Sequence, residues 1–489
     1  MDYDYFLDPR RDAVGILSEL PSLGAGHNLT GMTFAGGSPL AVGLPHDNFT
    51  AGEAAGRVLV YRDTRSFGCE GCYVPLQGPP QRAPKNHYQI GQVIEAPPGA
   101  PPHFGRALAV GASGLAVSAG GDGEGAVLVF AWAIRQENGP FFDPVPARID
   151  LPDAVGLHVG ASLGVFQMNG ATLPERVVAV GSPARDAGTD GEVRLFRQQE
   201  NGNWSLEQRL GGEGPGFGTV VSFYHGSGFR GGWPLPMLAV GTPGVADAPG
   251  RVLVYRHDAG QWGLVTSLSA PQGQSSFGKA LELDRMLIVG APSDTGRGRA
   301  YFFERDSNGT ILTEAHELDP PVPPPATFGS AVAAGYQMVV AAPTRDDKGG
   351  LYMFFLRTGA ERPPEGGDVV PIRELIFQGR VASPSEPGAG VFAEAIVDAP
   401  AGPPLRSFDL VVSFRAAENV TCPMAFHVGP VDEKAGPWPT PCAASPFVSP
   451  RETTATGLPA DPTKMPSPAF LACIALVAVA TLRRGFIKT

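Results

Sequence analysis

Hydrophobic and polar positions along this chain repeat a grammar. An aromatic residue or Leu precedes a small residue, an apolar run follows, and the run breaks at a Gly-x-Pro corner before a polar, glycine-rich loop. The clearest copies are FGKALELDRMLIVGAPSDTGRGRAYFF, from Phe277 to Phe303, and FGSAVAAGYQMVVAAPTRDDKGGLYMFF, from Phe328 to Phe355. Further copies begin at Leu23, Phe104, Leu163, Phe217 and Phe392, making seven. Within a copy, the continuous run MLIVG predicts a strand covered on both faces. Pro292 ends it, because proline has no N–H to donate to a ladder. SDTGRG reads as a loop and RAYFF as a third strand. VVAVGSP (Val177 to Pro183) and LAVGLP (Leu40 to Pro45) keep the same corner, and LAVG (Leu238 to Gly241) runs into Thr242 and Pro243. The second copy has Ala119 and Gly120 there, and the seventh has LVVSFRAAENV. Units of roughly sixty residues, each reading strand, turn, strand, loop, strand, predict a ring of small sheets. The expected fold class is all-β, a seven-bladed β-propeller over residues 1–445.

At these residues the chain resembles the FG-GAP repeats of the integrin α-subunit propeller. The opening YFLDPRRDAV, Tyr5 to Val14, looks like the start of a mature integrin α chain, and Tyr5 to Asp8 is expected to pair in the last blade. The closing LRRGFIKT is similar to the integrin juxtamembrane tail motif through Gly485, Phe486 and Lys488, with Ile487 and Thr489 departing from it. The leg domains of an integrin α subunit have no counterpart in the sequence. The resemblance implies recognition of a protein ligand, or of an integrin β-like subunit, through propeller loops. No cofactor is expected: the integrin-type calcium loop needs alternating oxygen ligands around a glycine turn, and none of the corresponding stretches, such as ALELDRM and AVAAGYQ, offers more than one carboxylate at the needed spacing.

Composition bears on compartment more than on chemistry. The net charge of -11 and the absence of a Lys/Arg-rich run in the propeller count against a nucleic-acid partner. Five asparagines lie in N-x-Ser/Thr sequons: Asn28, Asn48, Asn203, Asn308 and Asn419. Such an excess points to a secretory route with glycosylation. Cys69 with Cys72, and Cys422 with Cys442, are expected as two local disulfides in an oxidising compartment, while Cys473 is left over. Residues 446–464 read as a flexible Pro/Thr/Ser-rich stalk. Residues 465–482 carry no charge and at 1.5 Å per residue span roughly 27 Å, enough for a bilayer core. Arg483, Arg484 and Lys488 follow, placing 483–489 in the cytoplasm. The expected topology is a single-pass type I protein of the cell membrane with an extracellular propeller. A removed lipid-anchor signal is the alternative for the tail. The N-terminus lacks the pattern of a signal peptide, and truncation there is the expectation.

Candidate chemistry is sparse. There is no H-E-x-x-H and no P-loop, and GDGEGA (Gly121 to Ala126) precedes a strand, not a helix. The nine histidines are spread along the chain without metal-ligand spacing. The strands written ALAVG, VVAVG, LAVG, MLIVG and MVVAA, taken as the inner strands, are almost wholly apolar, so the chain is expected not to be an enzyme. Charge gathers in the loops after the corners: Arg185, Asp186 and Asp190; Asp294 and Arg297; Arg345, Asp346, Asp347 and Lys348. These loops emerge on one face and are the candidate partner-binding surface. The alternative to adhesion is a lectin-like or glycan-acting propeller, because a propeller fold does not specify its function.

Overall fold

The computed structural model describes residues 14–19, 33–35, 39–47, 55–63, 88–111, 114–120, 124–133, 141–152, 156–169, 174–224, 236–244, 248–271, 274–284, 286–293, 296–305, 310–321, 323–334, 338–343, 349–361, 370–382, 391–399, 408–417 and 420–428. Their strands form seven four-stranded antiparallel sheets. In chain order six of these blades lie within Thr33 to Glu95, Leu108 to Leu151, Ser162 to Gly211, Val220 to Ser269, Ala280 to Glu317 and Ala331 to Ala382. The last blade takes Val391–Ala399, Phe408–Ala417 and Val420–Val428, and its fourth strand is Val14–Glu19 from the other end of the chain. The first strand of every blade packs beside the first strands of both neighbouring blades, and Thr33–Ala35 meets Val391–Ala399 to close the ring. The protein is an all-β propeller. The register Val14↔Val428 to Glu19↔Met424 ties the two chain ends together. The pairing strand is thus Val14–Glu19; Tyr5 to Asp8 lie outside the described residues.

Three expectations change. Each blade has a fourth, outermost strand, such as Trp204–Gly211 or Gln261–Ser269. Its exposed polar face interrupts the apolar pattern, so it does not read as part of the repeat. Second, VVAVG, LAVG, MLIVG and MVVAA are second strands, not inner ones, while ALAVG does supply an innermost strand, Leu108–Gly111; the other innermost strands include short pieces such as Val220–Phe223 and Ala280–Leu283. Third, the copy placed at Leu163 begins earlier. Val159 and Gly160 hold the place of Phe-Gly, with Val159 buried. In the second blade, Ser118 does what Gly241 and Gly290 do elsewhere: its carbonyl accepts the amide of the Phe-Gly glycine, Gly105 N–H to Ser118 O at 3.0 Å.

Apolar cores lie between blades. One joins Met237, Ala239, Val252 and Val254 of the fourth blade to Leu281, Leu287, Val289 and Tyr301 of the fifth, with Phe277 inserted. Phe104, Phe217, Phe277 and Phe328 are each fully buried at successive seams. Burying a phenylalanine is worth roughly 2–3 kcal/mol. Beside each ring the two backbones touch. A Cβ added at Gly43, Gly181, Gly241 or Gly290 would collide with the carbonyl oxygen of Gly105, Gly218, Gly278 or Gly329 in the following blade. The latter four all adopt positive φ, between 85° and 95°. Five blades also carry a register shift between third and fourth strands at matching places, for example Leu195/Phe196 and Val254/Tyr255, which increases local twist.

Among the described residues no helix is long and apolar enough to cross a membrane. Residues 446–489, with the stalk, the apolar segment and the tail motif, lie outside the described residues, as do Cys69, Cys72 and Cys442. Cys422 lies in strand Val420–Val428.

Replacing Gly290 by Ala sets a methyl against a backbone oxygen that cannot rotate away. We expect Gly290→Ala to destabilise the propeller by about 2–3 kcal/mol in denaturant unfolding. Gly263→Ala, on an outer strand where nothing lies within 4 Å of the added Cβ, is expected to stay within about 0.5 kcal/mol of the parent. Equal effects would show that the seam contact does not govern stability.

Candidate functional site

In the first, third, fourth and fifth blades the loop joining second and third strands meets the loop that leads into the following blade. Gly56 bridges Phe104, the Gly244 amide donates to Ser275 O at 2.7 Å, and the Ser293 amide donates to Ala326 O at 2.8 Å. Both sets of loops therefore gather on one face, around the mouth of the central channel.

On that face the first three blades bring together groups that are far apart in sequence. His46 follows the Pro45 corner of the first blade. A buried ion pair fixes its loop: Asp47 Oδ2 lies 2.7 Å from Arg57 Nε, with the Asp47 side chain fully buried. The Gly56 amide closes the loop on the Asp47 carbonyl at 2.9 Å. His103, in the loop leading to the second blade, sets its ring 5.1 Å from that of His46, edge to face. Its Nδ1 lies 3.4 Å from the Pro45 carbonyl. His103 holds φ at 60°, a left-handed backbone that costs a non-glycine residue about 1–2 kcal/mol. Arg106 follows Phe104 and Gly105 directly, and its Nη1 lies 3.5 Å from the Gly120 carbonyl. Arg185 comes from the third blade, where its amide donates to Gly156 O at 2.9 Å and the His158 amide to Pro183 O at 2.8 Å.

The electrostatics agree with this crowding. Loss of water around the ring, then His103 and Arg106, hold the His46 imidazole below its ordinary value of 6.5. Burial, then the neighbouring Arg185, hold the Arg106 guanidinium below its ordinary value. The site thus presents imidazole at neutral pH, able to donate and accept, beside guanidinium groups that only donate.

The loop charges expected from sequence separate. Arg185 joins this mouth, with Asp186 and Asp190 exposed in the same loop. Arg297 is paired with Asp319, just beyond the outermost strand of its own blade. Asp294, Arg345, Asp346, Asp347 and Lys348 lie outside the described residues, as do Asn28, Asn48, Asn308 and Asn419. Asn203 is exposed in the hairpin before Trp204–Gly211, its amide bonded to Asn201 Oδ1 at 3.0 Å. The reading of the histidines as dispersed fails for His46 and His103, and no signal in the sequence pairs residues so far apart. Gly160 to Gly164 has the G-x-S-x-G form, which sequence reading alone passed over. It is not a nucleophile elbow: Ser162 is buried on an innermost strand and donates to Gly218 O at 2.9 Å. Among the described residues no three His, Cys, Asp or Glu side chains gather as a metal site requires.

No family model matches this chain, and no curated protein matches it by sequence. Solved structures are similar to it in fold. The periplasmic gluconolactonase of Pseudomonas aeruginosa matches with 18% identity and a TM-score of 0.36, over 71% of this chain and 84% of that one. The fucose-specific lectin of Aleuria aurantia matches with 13% identity and a TM-score of 0.35, over 73% and 97%. An α-L-arabinofuranosidase of Fusarium graminearum matches with 9% identity and a TM-score of 0.36, over 64% and 89%. Likeness at this level concerns the fold and carries no activity across. The expectation that the chain is not an enzyme is nonetheless corrected. Its premise fails. Apart from Leu108–Gly111, the apolar runs are second strands packed between blades and do not report what faces the channel.

The lowered His46 pKa has a definite sign. The unfolded chain takes up the proton more readily than the folded one, so stability is lost as pH falls below 6.5. His46→Gln is expected to make the pH dependence of the unfolding midpoint shallower in that interval; an unchanged slope would refute the assignment.

Proposed function

We propose that this propeller handles a carbohydrate-type ligand at the mouth formed by the loops of blades one to three. The observation that carries this reading is the character of that face. It offers the His46–His103 pair and Arg106, while among the described residues no large apolar side chain is exposed there. The exposed ones, Val93, Trp132, Val145, Leu206, Leu264, Val265 and Leu312, all lie on outermost strands or on the loops leading to them. A protein interface is normally built around a desolvated apolar core. Sugar hydroxyls, which donate and accept, suit neutral imidazole and backbone carbonyls. The strained backbone of His103 fits a residue held for its side chain and not for packing. If the ligand is turned over, the two imidazoles are the proton-transfer groups closest to it.

Screening the full-length protein against a glycan and monosaccharide panel tests the reading. His103→Ala is expected to lower affinity for a bound sugar about tenfold or more. Capture of an integrin β ectodomain with no sugar bound would favour the adhesion reading instead.

A second reading concerns display: a cell-surface glycoprotein whose propeller faces outward. The observation favouring it is the exposure of Asn203 and Ser205 in an open hairpin, accessible to a glycosylating enzyme. Expression in a secretory host with an added signal peptide should give a glycan at Asn203 by peptide mapping; an unmodified Asn203 would count against it.

A further inference from the structure

The exposed apolar side chains lie on the rim of the ring, and they single out one blade. The outermost strand of the fourth blade, Gln261–Ser269, is an edge of its sheet. Its opening is closed by the third blade: the Trp262 amide donates to Gln208 Oε1 at 2.8 Å, and Gln208 Nε2 donates to the Trp262 carbonyl at 2.9 Å. Beyond that point, among the described residues, no hydrogen bond reaches 263–269 from outside their own sheet. An edge of this kind presents unpaired N–H and C=O groups to a strand of another chain.

Two features set this edge apart. The other outermost strands, Val14–Glu19, Tyr88–Glu95, Ala147–Leu151, Trp204–Gly211, Ile311–Glu317 and Val370–Ala382, each contain Asp, Glu or Arg. Gln261–Ser269 contains no charged residue. Charge on an edge is a common guard against pairing with another chain. The second feature is the bulge against the third strand. Its extra residue is Gly91 in the first blade, Glu207 in the third and Gln378 in the sixth, but Val265 in the fourth. Val265 is 37% exposed and Leu264 beside it 49%. Leu206 of the third blade, two residues from the Gln208 that holds Trp262, is exposed as well.

We propose that residues 263–269 are a docking edge for a second copy of this chain, the two edges pairing antiparallel about a two-fold axis. A two-fold sets residues of one strand against the same strand of the other copy. An edge with charge near the axis therefore repels its own copy, and this edge has none to repel. Main-chain bonds supply the affinity, and Leu264 and Val265 of each copy lose water against the partner strand. The contact is small, so a dissociation constant in the roughly micromolar range is expected. Each copy carries a net charge of -11, so long-range repulsion opposes pairing and added salt tightens it. The proposal is independent of the carbohydrate reading.

Sedimentation equilibrium of the full-length protein, kept in mild detergent because of the apolar residues 465–482, is the test, run at low and high salt. A dimer that strengthens with salt is the expected result. Leu264→Lys and Val265→Lys should each weaken it about tenfold or more, because a two-fold sets like charges close together. Val145→Lys, at the more exposed valine of the second blade, should leave it unchanged. Thermal unfolding of each variant checks folding, and the exposure of both side chains keeps the core out of the comparison. Gly263→Cys, Val265→Cys and Ser267→Cys, made singly, locate the axis: oxidation should link two copies best at one position and less at the others. Equal linking at all three or linking at none, a monomer at every concentration, or a dimer unmoved by both lysine variants overturns the proposal.

Discussion

The contact on which the rest of this structure depends is between backbones. At four seams a glycine of the second strand lies against the carbonyl of a positive-φ glycine in the next blade, with a phenylalanine ring buried alongside. The glycines set how closely blades approach, and the ring fills the wedge that approach leaves. Neither works alone, since a side chain at the glycine would separate the sheets and a smaller residue at the phenylalanine would leave a cavity. The second blade solves the same problem with Ser118 facing Gly160. The seam therefore tolerates a variation in chemistry as long as the spacing survives.

This packing also positions the mouth. The loops that bear the Phe-Gly turns are anchored at the seams, so the residues beside them, His103 and Arg106, are held by the same contacts that assemble the ring. Backbone bonds reinforce the placement: Arg106 N–H reaches His103 O at 3.1 Å, and Gly120 N–H reaches Pro102 O at 2.6 Å. The buried Asp47–Arg57 pair does the equivalent for His46. Breaking one member of such a pair leaves an uncompensated buried charge, which makes the pair a strong constraint on loop conformation whatever its net contribution to stability. A rigid ring with variable loops is a scaffold on which a polar site can be built without disturbing the core.

How much of this is legible in the chain follows from the range of each interaction. The Phe-Gly turn, the apolar run and the Gly-x-Pro corner are local signals, each written within a few residues and repeated, so the all-β propeller was readable from sequence. The outer strands were not, because exposed strands alternate polar and apolar residues as loops and amphipathic stretches also do. Strand rank was misread for a related reason: continuous hydrophobicity reports burial on both faces, and in a propeller the second strand has that property while the innermost faces the channel.

The site depended on tertiary structure almost entirely. Sequence put charge in the loops after the corners, and Arg185 did come to the mouth, yet Arg297 is taken by Asp319 and the two histidines seemed unrelated. His46 and His103 meet because closure of the ring brings the corner of one blade under the turn that opens the next. That proximity is set by the sum of many seam contacts and by no feature near either residue. By itself the sequence determined the repeating unit and the hydrophobic logic of its strands, since those rest on neighbours along the chain. Which polar groups share one mouth was decided only when the blades closed, because a charge or an imidazole carries no local mark of its distant partner.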